Sequence, residues 1–191
     1  MVECEMPTPT VTKHARRSNW TYADYCKIPP DRHRHEIIDG RHYVTPSPEI
    51  GHQRAGSRLV HQLMAQIDDV GLGETFSAPL DVHLGRGTVV QPDLVVVHRD
   101  NRAVLGTKKV TGVPDLLVEI LSPSSGKRDR TLKRDRYERA GVREYWLVDR
   151  EARVVQQFVL RGGVYSEPLT CAEHLRCRVF RGVVIDVTRL W

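Results

Sequence analysis

Two stretches of this 191-residue chain, Val89-Val90-Gln91-Pro92-Asp93-Leu94-Val95-Val96-Val97 and Pro114-Asp115-Leu116-Leu117-Val118-Glu119-Ile120-Leu121, are almost wholly apolar. Short apolar runs that do not alternate with polar residues predict central strands covered on both faces, so the chain needs packing layers on both sides of one sheet. The layers are also legible. Ala55, Leu59, Leu63, Ile67 and Val70 recur at helical spacing and predict a long helix over 52–70, stopped by Gly71. A second helix is expected over 129–140, ended by Gly141, and a short one over 20–25, closed by Pro29-Pro30. Strands are expected at 36–38 and 41–44 around an Asp39-Gly40 hairpin turn, then at 75–77, 80–84, 89–97, 116–121 and 145–148. Further short strands follow near or beyond the sheet edge. Residues 1–18, with Pro7, Pro9 and several threonines, read as a flexible leader, and residues 19–191 as a single domain. The expected fold class is α/β, helices packed on a mixed sheet.

A chain of this length buries roughly two thirds of its extended surface on folding, and 40% hydrophobic residues are enough to fill that core. Stapling by disulfide or metal is unnecessary. Cys4, Cys26, Cys171 and Cys177 form no CxxC pair, and no apolar stretch approaches the about 20 residues that cross a bilayer. The first residues lack the apolar segment of a signal peptide, so the reducing cytoplasm is the expected location. The net charge of +5 favours contact with polyanions but is also an ordinary route to solubility. With 6% aromatic residues and no basic block interleaved with them, a single-strand stacking platform is disfavoured.

The acids inside the apolar runs do not belong there. Alternation sets Gln91, Asp93 and Val95 on one face, and Glu119 interrupts the second run in the same way. A carboxylate in such a setting costs several kcal/mol unless it is paired or holds a metal. A buried salt bridge explains either acid alone. If the two strands are neighbours, the pair also offers the hard oxygen ligands that Mg²⁺ needs for phosphodiester cleavage. The following helix supplies a complementary charge: Asp129, Lys133 and Tyr137 share a face at spacing four, beside Leu132, Arg136 and Ala140. Lys133 either pairs with Asp129 or snorkels, or else sets its ammonium beside the acids. The loop Ser122 to Arg128 is of the kind that rims sites.

Glu36 stands at a strand start, where an exposed role is expected. His52 reads as a helix-start residue that caps or packs, Gln91 as a partner for water or phosphate, and Asp115 as a turn cap. His33, His35 and His42 make an incomplete cluster, better explained as an exposed polar loop.

Taken in order, Glu36-Ile37-Ile38-Asp39-Gly40, His52 at a helix start, Gln91-Pro92-Asp93, the run from Pro114 to Ser124, and Tyr137 through Asp149 with Gly141-Val142-Arg143-Glu144-Tyr145-Trp146-Leu147-Val148 resemble the Uma2 family of bacterial restriction-endonuclease-like proteins. The likeness runs from about Tyr22 to Asp149 and more loosely beyond. It implies a PD-(D/E)xK nuclease core, a mixed sheet flanked by helices with additional N- and C-terminal strands. It also implies that Asp93 and Glu119 are metal ligands, that the Ile120 carbonyl completes the metal shell, and that Glu36 is the upstream acid. Where the wider nuclease pattern has a lysine two residues after the acid, this chain has Leu121. Lys133 is the candidate replacement.

The expectation is therefore a Mg²⁺-dependent endonuclease, with Mn²⁺ as a substitute ion, acting on DNA and working as a homodimer with one site per strand. Asp93, Glu119, Lys133 and Glu36 would be its catalytic groups, and Arg128, Arg130 and Arg134 would contact phosphates. Two alternatives stand beside it: a catalytically weak or inactive nucleic-acid-binding module on a nuclease scaffold, and a structural oligomer whose acids only satisfy buried cations.

Overall fold

A computed structural model describes residues 19–191; the leader expected over 1–18 lies outside the described residues. In chain order the elements are α1 (Tyr22–Tyr25), β1 (Arg34–Ile38), β2 (Arg41–Thr45), α2 (Ile50–Ile67), β3 (Gly73–Ser77), β4 (Val82–His83), β5 (Val89–Val90) and β6 (Leu94–His98). After a 3-10 turn at Arg99–Val104 come β7 (Val110–Thr111) and β8 (Leu116–Ile120). A crossover follows, made of α3 (Gly126–Arg128), a wide π turn (Asp129–Lys133) and α4 (Arg134–Ala140). The chain closes with β9 (Glu144–Asp149), β10 (Val154–Arg161), β11 (Val164–Tyr165), β12 (Leu169–Cys171), β13 (His174–Arg176), β14 (Val184–Asp186) and a 3-10 turn at Val187–Leu190.

The central sheet runs β11-β10-β9-β8-β6-β3, with β12 also beside β10, and a second sheet runs β2-β1-β5-β4-β7. β8 and β9 are parallel and joined by the crossover helices, whereas β3, β6 and β8 pair antiparallel. This is the mixed sheet flanked by helices that the sequence leads one to expect. On one face, Ala55, Leu59, Leu63 and Ile67 of α2 pack against Leu94, Val96, Leu116, Val118 and Ile120, and Leu175, Phe180 and Ile185 close that core. On the other face, Val95, Val97, Leu117 and Leu147 meet Tyr137 of α4 and Ile38, Val82 and Val90 of the second sheet. Both faces of β6 and β8 are therefore dry, which explains why neither strand alternates.

Glu144 ties the tail down. Its fully buried carboxylate accepts hydrogen bonds from Trp146 Nε1 at 2.6 Å and from the backbone N–H groups of Arg178 and Val179, each at 2.8 Å, as well as from Gln157. A charge so deep is tolerable because its acceptor sites are filled.

Several boundaries differ from expectation. The run 89–97 is not one strand: β5 lies in the second sheet and β6 in the central one, and the chain crosses between them at Gln91-Pro92-Asp93. Pro92 has no N–H to give a ladder, so the apolar run breaks there. α2 begins at Ile50 and ends at Ile67, with Gly71 in a left-handed turn (φ 71°) and Val70 left exposed. The strand expected over 80–84 shortens to two residues, and the helix expected from 129 begins at Gly126, inside what reads as a loop.

Candidate functional site

The crossing between the two sheets brings the embedded acids together. Leu94 pairs with Val118, so one step back the antiparallel register sets Asp93 beside Glu119. The contact is tight: the Ile120 N–H donates to Asp93 Oδ2 at 2.7 Å. β1 adds two side chains from the second sheet. Residues two apart in a strand share a face, and here Arg34 Nη1 reaches Asp93 Oδ1 at 2.8 Å while Glu36 Oε1 reaches Lys133 Nζ at 2.7 Å.

Lys133 is the hub. It rises from the π turn into the interface between sheet and helix and is almost wholly buried. Its ammonium donates to Glu119 Oε1 at 2.8 Å, and Asp129 Oδ1 lies 3.6 Å away, one helical step back. Tyr137, one turn further along the same face, donates its hydroxyl to Glu119 Oε1 at 2.7 Å. Glu36 Oε1 also accepts the Gln91 N–H at 2.9 Å. Its carboxylate is 1% exposed, which overturns the exposed role expected at that strand start: the β1–β5 pairing folds the strand end under the crossing segment.

One ammonium thus serves three buried carboxylates. Burial alone would lower the pKa of Lys133, but Glu119, Glu36 and Asp129 outweigh it and hold the ammonium above the usual lysine value. Burial pushes Glu119 up to about 8 against the pull of Lys133, with Asp129 and Asp93 adding to the rise. Burial raises Asp129 as well. Asp93 behaves in the opposite way. Burial opposes its charge, but the His52 hydrogen bond, Arg34 and the Ile120 N–H prevail and hold it at about 2. Of the pair, Asp93 is the acid whose surroundings favour the ionised form, and Glu119 the one whose burial favours the protonated form.

Asp93, Ile120, Gln91, His52, Arg32 and Arg34 line a cleft of about 590 Å³. His52 Nε2 lies 3.2 Å from Asp93 Oδ2, so the histidine expected to cap or pack at a helix start also makes contact with the acid. Asp93 Oδ1 is filled by Arg34 Nη1 at 2.8 Å, whereas Glu36 Oε2 and Asp129 Oδ1 are buried and accept no hydrogen bond. Such unfilled hard-oxygen capacity fits a divalent cation of the Mg²⁺ type. Asp93 and Glu119 would supply two carboxylates to such an ion. Among the described residues no three His, Cys, Asp or Glu side chains gather into a metal cluster.

The other singled-out residues fall into two groups. Leu121, where the wider nuclease pattern has lysine, packs in the core with Tyr137 and Val142. Lys133 reaches Glu119 instead, from the crossover. Arg128 points inward, donating to Thr45 Oγ1 at 2.6 Å and standing 3.7 Å from Glu36 Oε2. Arg130 donates to Asp149 Oδ2 at 2.6 Å and to Gln156, and Arg134 pairs with neighbouring Asp135; neither lines the cleft. Asp115 accepts the His98 N–H at 2.6 Å and an ion pair from Arg143, the expected turn-fixing role. His35 Nδ1 lies 2.9 Å from His42 Nε2, with His33 on the exposed rim beside Asp31. Sequence reasoning missed Arg34, whose only signal was its place two residues before Glu36 on a strand face.

No helix among the described residues is long and apolar enough to cross a membrane. No curated protein matches the chain. The fold is similar to the crystal structure of a "putative nuclease belonging to DUF820" from Anabaena variabilis ATCC 29413, with a TM-score of 0.75 and 18% identity, covering 90% of this chain and 97% of that one. The model of the Uma2 family, described as "Putative restriction endonuclease", matches residues 22–188. A match over nearly the whole described chain shows that this chain belongs to the Uma2 family.

Proposed function

We propose that the chain is a metal-dependent endonuclease that hydrolyses phosphodiester bonds in DNA, with Asp93 and Glu119 as ligands of a divalent cation, Mg²⁺ or Mn²⁺. What supports the reading most is that two acids far apart in sequence stand side by side, Asp93 lining the cleft and Glu119 buried behind it, with Lys133 Nζ 2.8 Å from Glu119. Asp93, Glu119 and the Ile120 carbonyl would hold the ion, which would supply Lewis acidity to an attacking water and to the phosphate oxygens. The protein's own part is positional. Lys133 and Tyr137 fix Glu119 from behind, Glu36 holds Lys133, and Asp93 presents an ionised carboxylate to the cleft. The Lys133 charge also offsets the negative charge that develops as the new P–O bond forms and the leaving oxygen departs.

In this reading Arg130 and Arg134, with Arg128 behind them, steady backbone phosphates. Removing the Arg130 and Arg134 charges is expected to weaken binding to all sequences alike and to reduce the salt slope by about one for each phosphate no longer neutralised; an unchanged slope would sink that role. A homodimer would present one site to each DNA strand, and sedimentation at working concentration reads it directly. Cys26, Cys171 and Cys177 are free thiols, in keeping with the cytoplasm.

The test is plasmid nicking and linearisation over time with Mg²⁺ or Mn²⁺, comparing wild type with Glu119→Ala purified identically. Cutting by the wild type alone is the expected result. Cutting by both would overturn the site assignment, and cutting by neither would favour the second reading, a nucleic-acid-binding module. That alternative has its own support: Leu121 has no charge to offer, and Arg34 and Lys133 already neutralise the two acids. It predicts binding without turnover under either ion. A purely structural role for the acids would show as no nucleic-acid affinity and a melting temperature indifferent to both ions.

A further inference from the structure

Beside the cleft, sharing Arg34, His52 and Asp93 with it, is a second hollow of about 170 Å³ whose far wall is Arg150 with Ser122 and Ser124. It is below the about 300–1,000 Å³ of ordinary small-molecule pockets, and holds on the order of five waters. Arg150 is held there by its surroundings. Its guanidinium lies across the first turn of α2 so closely that a Cβ on Gly51 would collide with Nη1. Its Nε is buried with no acceptor, and the nearest acid, the exposed Glu49, stands 3.6 Å from Nη2, beyond hydrogen-bond range. A buried donor left unfilled costs about 1–3 kcal/mol. Arg34 faces the same hollow from β1, and Ser122 and Ser124 contribute hydroxyls 3.1 Å apart. Asp93 and Glu49 also line the hollow and Arg34 is already paired with Asp93 at 2.8 Å, so it is the Arg150 guanidinium, with no acid within hydrogen-bond range, and the two hydroxyls that offer a phosphate group donors in fork geometry.

We propose that this hollow is a phosphate subsite that takes the phosphodiester next to the one lying at Asp93, with Arg150 as its principal ligand and Arg34 as the bridge between the two positions. This rests on the nuclease reading for the substrate, but not on its chemistry. A strand laid along the cleft passes Asp93 and continues into the hollow, because both spaces open on that residue. Arg150 then fixes which phosphodiester stops at the acids, a positioning role.

The subsite is tested by binding without any divalent ion. Short deoxyoligonucleotides, unphosphorylated and 5′-phosphorylated, and inorganic phosphate are titrated into wild type, Arg150→Gln and Gly51→Ala in EDTA at several salt concentrations. Arg150→Gln is expected to weaken the unphosphorylated strand about tenfold and to lower the salt slope by about one. Gly51→Ala keeps every charge but evicts the guanidinium, and since only the end of a flexible side chain must move, it is expected to fold normally and to weaken binding in the same direction. In nicking assays both variants should raise KM with kcat held. Equal affinity and slope in wild type and both variants would overturn the subsite, as would a wild type that binds no strand. Sensitivity confined to the 5′-phosphorylated strand or to inorganic phosphate would replace the internal phosphodiester by a terminal one and overturn the proposal as stated. Arg150-dependent binding with no nicking by wild type would sink the nuclease reading and leave the subsite standing. Nicking with Arg150-independent binding would sink the subsite alone.

Discussion

Glu119→Gln is expected to abolish metal-dependent nicking, a fall of at least about 10²–10³-fold, while making the metal-free protein more stable at neutral and alkaline pH. The two effects share one cause. In the folded chain burial raises Glu119 to about 8, whereas an unfolded glutamate titrates near 4.3. Between those values the folded state holds a proton that the unfolded state has released, so the wild type loses stability as pH rises, by up to about 1.4 kcal/mol per unit. Glutamine does not titrate and still accepts the donors of Lys133 and Tyr137 through its amide oxygen. The variant should therefore match the wild type below about pH 4 and exceed it increasingly up to about pH 8. Urea melts in EDTA across that range decide the matter: parallel curves would show that Glu119 carries no such proton.

The opposite change at the hub should be severe. Lys133→Met removes the one ammonium among Glu119, Glu36 and Asp129, and breaking a buried pair from one side costs about 3–5 kcal/mol. The orphaned carboxylates escape the cost by taking protons. The folded pKa values of Glu119 and Asp129, already raised by burial, then rise further, so the loss should be greatest above pH 7 and shrink towards pH 4. Adding Glu119→Gln to Lys133→Met removes one of the stranded charges and should recover part of the stability, as a double-mutant cycle reports. A pH-independent loss, or a double variant no better than the single, would count against the charge account and point to lost packing of the lysine stem.

What made this site readable was misplacement. Asp93 and Glu119 announce themselves because carboxylates in apolar runs demand an explanation, and Lys133 because helical spacing aligns it with Asp129 and Tyr137. Pro92 also carried a warning that 89–97 was not one strand, since its missing N–H forbids a central ladder. Arg34, His52 and Arg150 were another matter. Nothing local marks an arginine at the start of β1 or after β9 as a partner of Asp93 or its neighbouring hollow. Their convergence depends on two sheets meeting, on the β1–β5 pairing and on α2 laying its first turn beside β9, contacts between residues far apart in sequence. Glu36 shows the same limit, because its burial comes from a partner segment 55 positions away.

Because Glu36 comes from the second sheet while Glu119 and Lys133 come from the central sheet and its crossover, the ammonium also rivets two layers of the protein together. Selection acting on such a rivet differs from selection on a cleft residue. A descendant that ceased to cut nucleic acid would still be penalised for losing Lys133 or Glu36, since the layers would part around unpaired charge. Asp93 has partners, Arg34 and His52, that line the open cleft, and it would drift together with them once chemistry was no longer required. Among descendants of this fold, then, loss of the Asp93, Arg34 and His52 group is the more sensitive sign of lapsed catalysis, and persistence of the lysine cluster records only that the protein still folds.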